Sequence, residues 1–563
     1  MLRPRLIWTD WLFAAVVVVL CGLCAIIGLA TPIGSFAHDT FLFLDNAYRV
    51  IQGQVPNRDF SSAWGPVMFL IDAAGLELSG LRPAGLGYAN AMFGAVVSIW
   101  IFLLMRGRWS SAAACILGTY SLLLVVAPFP LGDHPLDFSY AMTYNRYGYA
   151  LFGIILVECA ADGVSARASG GRIDHGAVST GIALGLLAFL KISFATVAIP
   201  FVAACMISRG TISGRRIVGL AVGFMVVTVP ILCYLRFDVF DMFRDLAMAA
   251  SARRLSLEPA EVLRFVVFVE NVPLLLLTGV LCARKSGTHG TRTSLALFTL
   301  LTIVAGLLLL ISNQQVSEFP LDGYAAVALI AMGAPAEGSD GIRWPGLPLA
   351  LLLCLCLLPL SQRNAVSLVA AARERLWPDR PHVIALAAPR RGEELLFGPV
   401  FGARKTESDG AEYVEDLNDG LRMLLDNTGD RDGVLTIDMF NPFNYLLDRP
   451  SPRGGFAAAT YNFIFSDAAH PTPDQFLGDT PYVMVRKYKA PALDRPAEDG
   501  DVLALLRFYG PALRQEFTMV AETEHWALWR REGFADQTGG RKSLAASDPL
   551  DPDDRARANA ASR

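Results

Sequence analysis

Between His38 and Pro66 the chain reads HDTFLFLDNAYRVIQGQVPNRDFSSAWGP, directly after a first long apolar run. The stretch combines His38, Asp39, Asp45, Tyr48, Arg58 and Asp59. Carboxylates at the rim of a membrane can accept protons, with partial burial at headgroup depth tuning their pKa. A second polar stretch, Gly132 to Tyr140, holds Asp133, His134 and Asp137. That spacing can set oxygen and nitrogen donors around a divalent cation, and the alternative is a solvated loop that touches substrate or headgroups. Two cations stand out: Arg146, in the Tyr144, Asn145, Arg146, Tyr147 run that opens an apolar segment, and Lys191, between two such segments. An ionised group flanked by apolar helix is costly unless it meets an anion or water. Plainer readings stay open. Lys191 can snorkel from a helix end, Arg146 can clamp Asp133 or Asp137, and Asp59 can end a turn after Arg58. Ser312, Asn313, Gln314 and Gln315 close another apolar run, and Glu270 with Asn271 open one, either in a lipid groove or as a helix-to-helix hydrogen bond. Glu158, near the inner end of its run, is expected to be solvated by the interface and receives no role.

The elements that carry these residues follow from composition. Of 563 residues, 53% are hydrophobic and 18% charged, and the mean hydropathy is +0.42. That excess is too large for soluble domains and predicts an α-helical polytopic membrane protein. Runs able to span a bilayer core of roughly 20 helical residues start near Trp11, Ala84, Ser111, Arg146, Ala177, Ile192, Ile217, Phe265, Leu295, Phe319 and Leu347, which makes about eleven transmembrane helices. The first is read as a retained span, because it is longer than a signal core of roughly 7 to 15 residues. Arginines and lysines crowd alternate short connections (Arg106, Arg108; Arg167, Arg172; Arg209, Arg215, Arg216; Arg284, Lys285, Arg292). They place the N-terminus inside and the acid-bearing loops outside. The segment Trp64 to Gly80 is expected to be an interfacial or re-entrant helix on the outer surface.

After Leu360 the sequence turns ordinary. His382 to Leu386, Gly433 to Asp438, Tyr482 to Val485 and Thr518 to Trp529 look like strands. Val414, Leu417, Leu421 and Leu424 recur at helical spacing, as do Leu503, Leu506 and Leu513. The expected domains are 1–362 in the membrane, a soluble α/β domain over 363–533, and a disordered tail over 534–563. His525 could act as ligand or base, with an edge-strand histidine as the plainer reading. The formal charge of −4 gives nucleic acid binding no support. All nine cysteines lie in apolar stretches, so no disulfide framework is implied.

The first loop resembles that of the polytopic glycosyltransferases of the GT-C class, which include transferases related to protein mannosyltransferases and aminoarabinose transferases. The resemblance rests on His38 and Asp39 after the first span, a helix with Tyr48, Gly53 and Pro56, then Arg58, Asp59 and Phe60, and Gly65 with Pro66. Weaker echoes are Tyr144 to Tyr147, then Leu190, Lys191 and Phe194, and Ser312 to Gln315 before Phe319 and Pro320. It covers roughly Met1 to Leu360. It implies a GT-C-like membrane domain with outward catalytic loops, and transfer of a sugar from a polyprenyl-phosphate donor to a lipid, glycan or protein acceptor. That transfer would occur at the outer face of a bacterial inner membrane, with the C-terminal domain periplasmic. Asp39 would be the catalytic base. Lys191 and Arg146 would hold the donor phosphate, and His38, Tyr48, Arg58, Asp59, Asp133, His134, Asp137, Asn313 and Gln314 would line the site. Many members carry a second acid beside the first aspartate, where this chain has Thr40. No cofactor is implied with certainty, a divalent cation being the one the loop acids admit. A transporter or flippase is the alternative function, although the acids gather at one rim and matching halves are absent. A scaffold that presents the soluble domain to a partner is a third reading.

Overall fold

The structure is a computed structural model that describes residues 8–28, 36–106, 109–165, 174–252, 271–284, 289–312, 318–333, 346–377, 384–386, 391–392, 395–397, 410–487 and 496–534. The apolar runs fold as helices, the only open-chain form that satisfies its own backbone polar groups in lipid. In chain order these are α1 (Trp8–Gly28), α4 (Gly85–Arg106), α5 (Ser111–Val126), α6 (Thr143–Ser165), α7 (His175–Leu190), α8 (Ile192–Ser208), α9 (Gly214–Tyr234), α11 (Asn271–Arg284), α12 (His289–Ser312), α13 (Pro320–Gly333) and α14 (Leu347–Leu376). Shorter helices lie between them: α2 (Asp39–Ile51), α3 (Pro66–Leu78) and α10 (Val239–Ala252). Among the described residues, five helices are long and apolar enough to cross a membrane, and further apolar helices are shorter. The chain is a multi-pass membrane protein. Ser110, Asp174 and Ser213 cap α5, α7 and α9 by accepting from the amides of Ala113, Ala177 and Arg216, which satisfies donors that a helix start leaves open.

Side-chain contacts sort the helix ends into two poles. At one, Arg106 at the end of α4 pairs with Asp10 at the start of α1, 2.6 Å apart. Arg209, after α8, there donates to the Ala160 carbonyl of α6 and meets Met332 of α13. At the other pole Tyr120 of α5 donates to the Pro320 carbonyl of α13, and the backbones of Gly28 and Gly87 pack so closely that a Cβ on Gly28 would lie 2.8 Å from the Gly87 Cα. This second pole bears the polar loops and the C-terminal region. Tyr445 donates to the Leu81 carbonyl and Asn46 to the Ala457 carbonyl.

The C-terminal region contains β1 (Ile384–Ala385), β2 (Leu396–Phe397), α15 (Gly410–Asn427), β3 (Val434–Ile437), α16 (Phe443–Leu447), α17 (Pro473–Leu477), β4 (Tyr482–Arg486), α18 (Pro496–Glu516), β5 (Phe517–Glu522) and β6 (Trp526–Arg531). Its larger sheet has the order β3-β4-β6-β5. β3 pairs parallel to β4, with Val434 opposite Tyr482, and β6 runs antiparallel to both β4 and β5. Val414, Leu417, Leu421 and Leu424, the residues read at helical spacing, are all buried on α15. Phe43 and Tyr144 of the helical part and Leu435 and Trp526 of the sheet belong to one continuous apolar core.

Three expectations change. The division at 362 falls inside α14, which runs on to Leu376 because Leu368, Ala371 and Ala372 keep a helical apolar stripe after the lipid-length segment ends. The helix predicted on the outer surface is α3, and it lies inside the protein, with Met68, Phe69 and Leu76 fully buried. Glu158 is also fully buried instead of solvated at an interface. Glu270, Asn313, Gln314 and the tail after Phe534 lie outside the described residues.

The entry to α3 depends on a glycine. Gly65 precedes Pro66 at the first helical position, donates to the Leu190 carbonyl, and is so close to α7 that a Cβ there would lie 2.0 Å from the Phe189 carbonyl oxygen. Backbone meets backbone at that point, so no rotamer can relieve the clash. Gly65→Ala is expected to destabilise the protein by about 1–3 kcal/mol and to shift Trp64. A thermal melt equal to that of the parent protein would refute this close fit.

Candidate functional site

α2 begins at Asp39 and bears residues at helical intervals, so Asp39 and Phe43, four apart, share a face. The Phe43 ring lies 6.3 Å from that of Tyr144, and Trp64 packs on the same tyrosine at 5.4 Å. On Tyr144 rests the ammonium of Lys191, 4.4 Å from the ring centroid, and its Nζ donates to the Asn145 Oδ1 at 3.0 Å. Lys191 is half-buried, and its extended backbone separates α7 from α8. The first loop, the start of α6 and the α7–α8 joint therefore meet around one cation, and Phe43, one helical turn after Asp39, packs into the same aromatic group. Such a cation over an aromatic face is electrostatically favourable.

Asp39 and His38 are both partly exposed, with the His38 Nε2 3.4 Å from the Asp39 Oδ1. The imidazole also stacks on Phe440, 5.4 Å away, and meets Tyr413 edge-on at 6.3 Å. Those two rings come from the loop after β3 and from α15, so the C-terminal region reaches the base of this site. Sequence reading missed Phe43, Trp64, Tyr413 and Phe440. Nothing in local spacing marks them, because aromatics at helical intervals ordinarily fill a core.

Arg146 requires a correction. Its guanidinium is buried and does not hold an open anion site. Nε and Nη2 donate to the Phe129 carbonyl, and Nη1 to the Leu124 carbonyl and the Asn364 Oδ1. The chain leaving α5 turns at that point, and five fixed donors suit a cluster of carbonyls that has lost its helical partners. Nor are these bonds the expected clamp on Asp133 or Asp137. Beside it, Arg363 pairs with Glu318, and its other amine donates to the Asp133 carbonyl, while Gly132 donates to Glu318. Burial pushes the Glu318 carboxyl up, against the pull of Arg363. Arg363, just beyond the last apolar run, is a rim cation that the sequence reading passed over.

The loop donors diverge. Asp137 is buried, whereas His134 is exposed and its Nδ1 accepts from the Leu136 amide. Among the described residues, no group of three or more His, Cys, Asp or Glu side chains is gathered to hold a metal ion. Asn271 is buried at the start of α11. His525 precedes β6 with its Nδ1 2.9 Å from Asp416, which also takes Arg486.

Tyr48 and Asp59 meet the C-terminal region, and Arg58 pairs with Asp59. Tyr48 donates to Asp448 at 2.8 Å and lies under Arg391. Asp59 accepts from the Val55 amide, pairs with Arg58 at 2.7 Å and faces Arg453 at 3.7 Å. Burial raises its carboxyl, but Arg58 and the Val55 amide outweigh that and hold it below the ordinary range. Arg49, on the same side of α2, donates to Gln54 and to the Pro452 and Gly454 carbonyls. Arg49 had no place in the sequence reading, although a lone arginine inside an aromatic helix marks a buried partner.

Asp45, four residues before Arg49, is buried, and burial pushes its carboxyl up to about 7 despite Arg49 and the Tyr445 amide. A carboxyl whose folded pKa lies above its unfolded value of about 3.9 favours folding below that value, and the contribution is lost as pH rises through the folded pKa. The melting temperature of the protein minus that of Asp45→Asn should therefore fall between pH 4 and 8. A constant difference would show that Asp45 does not titrate there.

No family model matches the chain, and no curated protein matches it. Among solved structures it is similar to the crystal structure of ArnT from Cupriavidus metallidurans bound to undecaprenyl phosphate. The match covers 93% of this chain and 98% of that one at 14% identity, with a TM-score of 0.45. The apo form of that protein matches over 92% and 97% at 13% identity, with a TM-score of 0.47.

Proposed function

We propose that the protein is a GT-C-like membrane glycosyltransferase that moves a sugar from a polyprenyl-phosphate donor to a hydroxyl of a lipid, glycan or protein acceptor. The observation that carries this reading is the aromatic group of Phe43, Trp64 and Tyr144, in which Phe43 lies one helical turn after Asp39 and Tyr144 bears the Lys191 ammonium. In the proposed reaction the Asp39 carboxylate takes the acceptor proton as the hydroxyl oxygen attacks the anomeric carbon. The bond from that carbon to the phosphate oxygen breaks, and Lys191 stabilises the departing lipid phosphate. Arg146 supports the turn at Phe129 and takes no part in phosphate binding. Tyr48 and Asp59, the latter paired with Arg58, seat the C-terminal region, whose Tyr413 and Phe440 stand beside His38 and help select the acceptor. The active pole faces the periplasm of the inner membrane, a reading supported by the basic residues of the opposite connections. Comparing cell-envelope glycans and lipids by mass spectrometry, with and without the protein, should reveal one missing sugar modification in its absence. An identical inventory would count against the transferase and favour a carrier or scaffold.

A further inference from the structure

α10 is two-faced. Met242, Asp245, Met248 and Ala252 are buried against the protein, whereas Phe237, just before the helix, and Phe240 and Phe243 on it are 66%, 82% and 60% exposed. On α9, Val222, Val226, Val229 and Cys233, spaced three or four residues apart, form an exposed stripe, and exposed Phe237 follows three residues after the helix ends at Tyr234. α9 is a membrane-length helix, so the stripe runs from hydrocarbon depth to the pole that bears the C-terminal region. Arg244 pairs with Asp241 at the edge of the apolar face, at the level where a cation meets headgroup phosphates.

On the buried face Asp245, which also pairs with Arg244 of the same helix at 3.5 Å, connects α10 to the first loop. The Asp245 carboxylate accepts from the Ser62 amide at 2.9 Å and from the Asn57 Nδ2 at 3.2 Å. Asn57 has a φ of +68°, and its amide also donates to the Ser62 carbonyl. The same turn pairs with the C-terminal region, Ser61 donating to the Gly455 carbonyl and Ala457 to the Ser61 carbonyl. We propose that α10 lies in the headgroup layer of the bilayer with Phe237, Phe240 and Phe243 at the acyl boundary, and that through Asp245 this anchor holds the Asn57–Ser62 turn on which the C-terminal region is seated.

Two measurements on the full chain in phosphatidylcholine and phosphatidylglycerol nanodiscs test this, and neither depends on sugar transfer. First, a nitroxide is attached at Phe240→Cys in a Cys233→Ser, Cys354→Ser background, with the same background lacking the new cysteine as baseline. It should be relaxed more by oxygen than by an aqueous nickel chelate. Stronger relaxation by nickel would put the face in water, and access by neither would put a protein over it. Either result overturns the proposal. Second, hydrogen exchange at the Ser62 amide should quicken at least tenfold both in Asp245→Asn and in Phe240→Ser with Phe243→Ser. Unchanged exchange in the double phenylalanine variant would show that the turn does not depend on the anchor. Because both readouts are structural, failure of this coupling and failure of the transferase reading are separable.

Discussion

Asp39→Asn is expected to lower sugar transfer by about 10²–10⁴-fold, the range a positioned general base contributes, while the protein stays folded. The substitution keeps the shape of the side chain and removes its ability to take a proton. Its structural cost should be small, since the side chain is only partly enclosed and a first-turn carboxylate contributes about 0.3–1 kcal/mol to its helix. The check is a transfer assay in membranes beside a melting curve of the purified variant. Near-parental turnover would remove Asp39 from the chemistry. A large fall in melting temperature would instead assign the lost activity to folding.

The largest effect on stability is expected from Arg49→Leu. The Arg49 side chain is buried, rests 4.1 Å from the Phe60 ring centroid, and supplies donors to Gln54 and to two carbonyls of the Pro452–Gly454 segment. Removing it leaves those acceptors unpaired and Asp45 without its neighbouring positive charge, so a loss of about 3–5 kcal/mol follows. The loss should concentrate where the C-terminal region meets α2. Limited proteolysis should then cut between 448 and 457 well before the membrane helices are attacked. A variant as resistant there as the parent would show that the region is held by other contacts.

Much of the helical framework was legible in the chain. Apolar runs such as Ser111–Val126 are readable because lipid admits no other open-chain backbone structure, and β3 and β4 followed from short apolar runs bounded by turn residues. The candidate site was legible in part. Asp39 and Lys191 drew attention as charges beside apolar helix, and the structure joins their surroundings through Tyr144. Arg146 drew attention for the same reason, yet its charge is taken up by the carbonyls of Leu124 and Phe129. A charge in an apolar stretch announces that it has a partner without saying whether the partner is a ligand or the protein's own backbone. Tyr48 and Asp59 show the same limit, because their partners Asp448 and Arg453 lie about 400 residues further along the chain.

By itself, then, the sequence determined that the chain enters a membrane many times, since hydropathy acts locally and needs no knowledge of neighbours. The starts of α5, α7 and α9 are likewise fixed locally, by the caps Ser110, Asp174 and Ser213. Tertiary structure alone decided which of the rim charges face one another and which are spent on support. Those pairings depend on how helices pack and on how the C-terminal region settles onto α2. Distances of a few ångströms between residues remote in sequence are set by the packing of the whole molecule and leave no periodic trace in the chain.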